Sequence, residues 1–338
     1  MEDKVFETIK KYNLIQDEDR LVLGISGGPD SISMLDILYQ IKKTNKIRFE
    51  FVVAHVNHLI REEAVEDEKY VENYCKKRQI KFYVERIDAK KYANNNKMGL
   101  EEAGRKLRYD FFDEILKNTS SNKIAIAHNK NDKVETIIMN IIRGTGLQGL
   151  KGIEPIRNNK YIRPLIECER EEIENYCQEK NLNPRIDKTN LINDCTRNKI
   201  RNIVLPYIKK EFNPNFIETI NRLSNVAEEE EAYVEIQTKK IYDELKLEEN
   251  DEQIILNLKK FNEQDIFIKK RIIIYTIAKL LGNVQNIEKV NIEDLITLCQ
   301  NNIGNKYLQP NKNIKVAVNK GKIFFITLKW VSVKTSVL

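Results

Sequence analysis

Four short apolar runs constrain this chain more than anything else in it: 21–25 (LVLGI), 51–56 (FVVAHV), 81–87 (KFYVERI) and 123–128 (KIAIAH). Each is followed by a stretch with helical spacing, at 31–43, 62–78, 101–117 and 132–143. Such alternation is the signature of a parallel sheet covered by helices on both faces. Right-handed crossovers then put the carboxyl ends of the strands on one edge, where open sheets of this kind bind ligands. The expected fold class is α/β, a doubly wound parallel sheet, followed by a second, smaller helical or α+β domain. At 338 residues there is length for both. The turn EFNPNF at 211–216 sets the expected boundary, with 1–215 as the first domain and 216–338 as a helical linker and small α/β domain. Residues 144–165 read as loop, 169–180 as a helix, 181–198 as a polar stretch, and a further helix ends near Lys210. Beyond the boundary, 217–245, 263–281 and 291–301 read as helices. Short strands follow at 305–309, 314–318 and 323–328, with the turn NKGK between the last two.

The first apolar run ends in Ser26-Gly27-Gly28-Pro29-Asp30-Ser31, and a helix opens directly after it. The turn lacks the lysine and the spacing of the Walker phosphate loop, but it shares the physics. Gly27 and Gly28 let the backbone approach a phosphate and can supply positive φ. Ser26 and Ser31 offer hydroxyls, and the helix N-terminus attracts anions. Asp30 is the odd member, because a carboxylate beside phosphate repels it unless a divalent cation lies between them. Mg²⁺ is the natural ion, since it takes one or two carboxylates together with phosphate oxygens. A plain tight turn with an Asp or Ser helix cap is the simpler reading of the same residues.

All three histidines fall at ends of expected strands, in AHVNHLIR (54–61, with His55 and His58) and AHNKNDKVET (127–136, with His128). In the second segment a helix is expected to begin near Asn131, bringing His128, Asp132 and Glu135 together. Asp132 and Glu135 then share a face at i, i+3. Such a pair can bind a cation or an amine, or help remove a proton. It can equally serve as a cap, with Asn131 or Asp132 as N-cap and Glu135 as the reciprocal group.

Composition narrows the class of protein. Hydrophobic residues at 41% and charged residues at 32% describe a globular chain. No apolar run approaches the roughly 20 residues that span a bilayer. The start MEDKVFETIKK is no signal peptide, so no membrane and a cytoplasmic location are expected. Five cysteines at irregular spacing, without a C-x-x-C pair, suggest neither a zinc site nor a disulfide framework. The net charge of +6 favours a polyanionic partner, and 197–210 carries five basic side chains and no acid. EEEE at 228–231 reads as a solvated helix face.

SGGPDS at 26–31 resembles the S-G-G-x-D-S signature of the PP-loop, or N-type, ATP pyrophosphatases, whose domain is adenine-nucleotide alpha-hydrolase-like. Within that group the chain is similar to the tRNA(Ile)-lysidine synthetases. The likeness continues in LEEAGRKLRYDFF (100–112), RGTGLQGLKGI (143–153), RPLI (163–166) and TRNKIRNIVLP (196–206). It covers most of 20–215, and more loosely the small domain that follows, which in the family recognises tRNA.

The resemblance implies that ATP adenylates O2 of the wobble cytidine in isoleucine tRNA with a CAU anticodon, releasing pyrophosphate. The ε-amine of L-lysine then attacks C2 and expels AMP. It implies that Ser26, Gly27, Gly28, Pro29, Asp30, Ser31 and His55 hold ATP, with Asp30 the Mg²⁺ ligand. His128, Asp132 and Glu135 match the block near the reacting centre, where Asp132 could orient the lysine ammonium. Arg105 and Arg201 are candidates for stabilising charge on phosphate or the adenylate, and Arg197, Lys199 and Arg201 for contacts with tRNA. A homodimer is compatible with all of this. A tRNA thiolation enzyme of the same superfamily, or an ATP-binding sensor that does not turn over, are the alternatives. The first lacks paired cysteines here, and the second leaves Asp30, Asp132 and Glu135 without a purpose.

Three departures from the family pattern carry expectations of their own. Leu59 replaces the glycine that usually follows the second histidine, so that loop is expected to bend differently. Asn131 replaces the first aspartate of a D-D pair, which puts a second metal position in doubt. The end at Leu338 leaves no room for the further C-terminal domain of many members, as in a short member or a shortened chain.

Overall fold

A computed structural model describes residues 1–59, 64–185, 193–284, 287–301 and 306–328. The end of the first histidine segment, Ile60 and Arg61, lies outside the described residues. Contacts divide the chain into two units, Met1–Glu228 and Glu229–Leu338. The division falls inside a long helix, beyond the expected boundary at 215.

The first unit opens with α1 (Glu2–Lys11), whose apolar face buries Val5 and Ile9. Then β1 (Arg20–Gly24), α2 (Pro29–Lys43), β2 (Glu50–Asn57), α3 (Ala64–Lys77) and β3 (Phe82–Arg86) alternate. They are followed by α4 (Ala89–Asn96), α5 (Leu100–Asn118), β4 (Lys123–Ile126) and α6 (Lys130–Ile142). Residues 144–165, expected as loop, hold a single helical turn α7 (Leu147–Leu150) and the two-residue strands β5 (Ile156–Arg157) and β6 (Tyr161–Ile162). These strands are too short to carry a periodic signal, and they form because β6 pairs with the edge of β4. Next come α8 (Arg170–Glu179), α9 (Thr196–Lys199), a π-helical turn at Ile200–Val204 and α10 (Leu205–Glu211).

The sheet runs β3-β2-β1-β4-β6-β5. Pairing is parallel except between β5 and β6. The chain steps from β1 outward through β2 and β3, then returns to add β4 on the other side of β1. The carboxyl ends of β1 and β4 are therefore the switch point, where neighbouring loops leave in opposite directions and open a crevice. Leu21, Leu23, Ile32 and Leu35 pack one face of the sheet, and Val22, Ala54, Phe111 and Phe112 the other. Strands apolar on both faces are thus accounted for, and the doubly wound expectation holds.

Helix α11 (Phe216–Leu245) runs from the first unit into the second. The second unit continues with β7 (Lys246–Glu249), β8 (Gln253–Asn257), α12 (Leu258–Asn262), α13 (Ile266–Leu281) and α14 (Lys289–Asn301). It ends in β9 (Lys306–Asn311), β10 (Ile314–Asn319) and β11 (Lys322–Thr327). The strands form an antiparallel sheet ordered β7-β8-β11-β10-β9. The expected turn NKGK joins β10 to β11, with Lys320 and Gly321 both at positive φ (45° and 72°) as a tight hairpin requires. Phe261, Ile272, Ile277, Val316 and Phe325 fill its core. Among the described residues no helix is long and apolar enough to cross a membrane. All five cysteines are free thiols.

Candidate active site at the switch point

The loop Ser26–Gly28 leaves the end of β1, and α2 begins at Pro29, whose missing N–H costs nothing in a first turn. Gly27 has φ +94°, a conformation side chains resist, while Gly28 is the N-cap at φ −76°. Only the first glycine therefore uses the freedom expected of both. The Ser31 hydroxyl closes the loop. It accepts from the N–H groups of Ser26 and Gly27, both at 3.2 Å, and donates to the Gly28 carbonyl at 3.0 Å. Backbone N–H groups gathered around one hydroxyl are donors that an anion can compete for.

Helix α6 leaves β4 across the crevice. Asn129 is its N-cap, and not Asn131 or Asp132 as the sequence suggested. The Asn129 side chain accepts from the Asp132 N–H at 2.9 Å, and Asp132 answers by accepting from the Asn129 N–H at 3.1 Å. Asp132 is thus the reciprocal member of the capping box, and Glu135 takes no part in it. The Asn129 amide has a second task, donating to Asp30 Oδ1 at 2.8 Å. One fully buried amide therefore ties the carboxylate of the first loop to that of the second.

Asp30 is held in an unfavourable place. Burial, then the nearby charge of Asp132, push its carboxyl up from 3.8 to about 6. Asp132 and Glu135 are compensated by arginines. Arg201 donates to Glu135 at 2.6 and 2.8 Å and to Asp132 at 2.8 Å. Arg197 reaches Glu135 at 2.9 Å and Asp132 at 3.2 Å, and Arg170 stands 3.5 Å from Glu135. Three carboxylates facing three guanidiniums leave the cluster near neutrality, and Glu135 is fully buried within it. Arg201 sits in the π-helical turn Ile200–Val204, a distortion often found at functional sites.

A cleft of about 390 Å³ lies between the Ser26–Ser31 loop, the end of β2, Arg108 and Phe112 of α5, and His128. His55 donates from Nδ1 to the Ile25 carbonyl at 2.8 Å, and burial lowers its pKa. His58 has no partner for either ring nitrogen among the described residues. Burial, Arg108 and His55 push it down to about 4. Burial and the surrounding arginines, Arg163 first, hold His128 well below the ordinary histidine range. All three imidazoles are consequently neutral near pH 7 and can bind without adding charge.

Most of the expected residues meet here: Ser26, Gly27, Gly28, Pro29, Asp30, Ser31, His55, His128, Asp132, Glu135, Arg197 and Arg201. Arg105 does not join the carboxylates. It is exposed, with its guanidinium 5.0 Å from the Tyr109 ring. Arg197, expected on tRNA phosphates, has its guanidinium on Glu135 and Asp132. Lys199 is exposed. Leu59, in the glycine's place, adopts the left-handed conformation (φ 53°), so the loop keeps a backbone that suits glycine. Sequence reasoning missed Asn129 and Arg170. The first was readable, because N-x-x-D before an apolar run is a capping-box pattern. The second had no local signal, because Arg170 opens α8, 35 residues further along the chain than Glu135.

Comparison with known proteins places this geometry. A family model described as a PP-loop domain matches residues 1–208. The tRNA(Ile)-lysidine synthase of Clostridium acetobutylicum is 44% identical over 324 residues, covering 96% of this chain and 69% of that protein. The enzyme of the same name from Clostridioides difficile is 46% identical over 322 residues, covering 95% and 69%. Among solved structures, the U34-tRNA thiolase NcsA from Methanococcus maripaludis superposes with a TM-score of 0.53 at 19% identity, over 66% of this chain and 77% of that one. That last likeness extends to the fold alone. With a PP-loop at the switch point and close relatives over nearly its whole length, the chain belongs to the tRNA(Ile)-lysidine synthase family.

Proposed function

We propose that the protein joins L-lysine to C2 of the wobble cytidine of isoleucine tRNA bearing a CAU anticodon, using ATP and releasing pyrophosphate and AMP. The observation that carries this is the Asn129 bridge. It sets a phosphate-side carboxylate, Asp30, within reach of a carboxylate pair fixed by arginines, Asp132 and Glu135. On this reading a loop for polyphosphate and a site for an amine nucleophile share one crevice.

The residues present fit Mg²⁺. Asp30 makes no ion pair among the described residues, its side-chain hydrogen bond coming from the neutral Asn129 amide, and among those residues no group of three or more side chains forms a self-sufficient metal cage. That matches an ion held by one protein carboxylate and by substrate oxygens. When bound, the ion would neutralise charge on the β- and γ-phosphates. The loop N–H groups of Ser26 and Gly27, released from Ser31, would bind pyrophosphate oxygens, and His55 and His58 would line the nucleotide's side of the cleft. On the acceptor side, Asp132 would receive the lysine ammonium in exchange for Arg197, which is the more exposed of its two close guanidiniums. Losing a proton to that carboxylate would free the amine for attack at C2. Arg201 would remain on Glu135 and stabilise charge on the departing AMP.

The test incubates a transcript of this tRNA with ATP, Mg²⁺ and labelled L-lysine. Label is expected in RNA with the wild type and not with Asp30→Ala. A wild type that releases no pyrophosphate and labels no RNA would remove the proposal.

A further inference from the structure

His128 also lines a second cleft, of about 330 Å³, whose other walls include Arg105, Arg143, Arg157, Arg163 and Arg197. Glu154 is the acid among its lining residues, and it is paired to Lys151 at 2.9 Å. Arg163 forms the base. It is 4% exposed, it donates to the Glu154 carbonyl, and its Nε has no partner among the described residues. The buried Nε of Arg157 is likewise unpartnered. A guanidinium does not shed its proton, so buried donors of this kind call for an anion rather than for neutralisation.

Two of the lining arginines are backed by rings behind the cleft wall. The Arg157 guanidinium stands 4.6 Å from the Tyr161 ring and 5.2 Å from the Tyr109 ring, and Arg105 is 5.0 Å from Tyr109. Tyr109 and Tyr161 meet edge to face at 5.1 Å, and the Tyr161 hydroxyl is fixed by Asp113 at 2.7 Å. The rings hold the arginine planes in place, and several fixed guanidiniums around one cleft are what the phosphates of a nucleic-acid strand use. A free amino acid, with one carboxylate, does not use so many cations.

We propose that this cleft seats a phosphodiester of single-stranded RNA, with Arg163 at the base of the seat and Arg157 at its side. The inference rests on the tRNA reading above and assigns it a particular contact. It would set the register of the strand beside His128, since phosphate contacts position a chain without reading its sequence.

The test measures binding of a fluorescein-labelled anticodon stem-loop RNA to the full-length protein across a salt series. Arg163→Met and Arg157→Gln are each expected to weaken binding about tenfold and to lower the slope of log affinity against log salt by about one. ATP binding, measured by calorimetry, should be unchanged. Circular dichroism checks the fold; should Arg163→Met not fold, the half-buried Arg157→Gln decides. Wild-type affinity and slope in the folded variants would overturn the proposal. So would a raised KM for L-lysine with intact RNA binding, which would make the anion an amino-acid carboxylate. Arginine-dependent RNA binding by a protein that transfers no lysine would support the cleft and defeat only the reaction proposed above.

Discussion

Asp30→Asn separates stability from activity at a single atom pair. In the wild type the Asp30 carboxyl titrates at about 6 when folded and at 3.8 when unfolded. Below the lower value both states hold the proton. Between the two, the folded state keeps it and the unfolded state gives it up, so stability falls as pH rises. Above about 6 both are ionised and the loss is complete. Two pH units at 1.36 kcal/mol each come to about 3 kcal/mol. Asparagine has the same shape, still accepts from Asn129 and cannot ionise. The variant should therefore gain on the wild type steadily from pH 4 to pH 6 and stay ahead at pH 7.5. For a unit of this size that is a melting temperature higher by several degrees. Differential scanning calorimetry of both proteins over that range reads the difference directly, and acid effects common to the two cancel. Mg²⁺ with ATP should reverse the order, because only the wild type gains the binding energy. A difference that does not change between pH 4 and pH 7.5 would refute the claim that burial and Asp132 strain this carboxylate.

Other substitutions probe the same crevice. Glu135→Ala removes the fully buried acceptor shared by Arg197 and Arg201, and should destabilise the first unit by about 3 kcal/mol, read by urea denaturation; an unchanged midpoint would contradict the pairing. Gly24→Ala puts a Cβ 2.5 Å from the Phe112 ring, which lines the cleft, so it should cost about 1–3 kcal/mol and weaken ATP binding in a calorimetric titration. Leu59→Gly should raise stability by somewhat under 1 kcal/mol, since the leucine occupies a left-handed conformation at φ 53°; a lower melting temperature would count against that strain.

The sheet was legible because its strands are fully apolar and its helices amphipathic. The runs at 21–25 and 51–56 correspond to β1 and β2 within one residue at either end. Where tertiary contact makes the element, local pattern said nothing. Strands β5 and β6 fall within the stretch that reads as loop, because two residues carry no period; β7 and β8 lie outside the expected elements, as do α4 and also α1, although α1 has a readable apolar face in Val5 and Ile9. The site followed the same division. The loop Ser26–Ser31 announces itself through glycine, serine and proline chemistry, and Asp132 and Glu135 through their spacing. Their arginine partners come from α8, α9 and the π-helical turn, dozens of residues away, and no periodicity links them. The cap position was misjudged by two or three residues because several residues in NKND can cap a helix, and only the fold reveals that Asn129 has a second carboxylate to hold.

The π-helical turn at Ile200–Val204 has a consequence for how this sequence can change. It accommodates one residue more than an ordinary turn would, and each residue of a helix advances the chain by about 100°. Deleting one of the five would close the widened turn to an ordinary one, leaving the helix beyond in register but changing the direction in which the side chains of the turn itself leave the coil. Arg201, inside the turn, would then no longer address Asp132 and Glu135 together. Length in this segment is thus under as tight a constraint as the identity of the arginine itself, and shortening it should be worse tolerated than most point substitutions nearby.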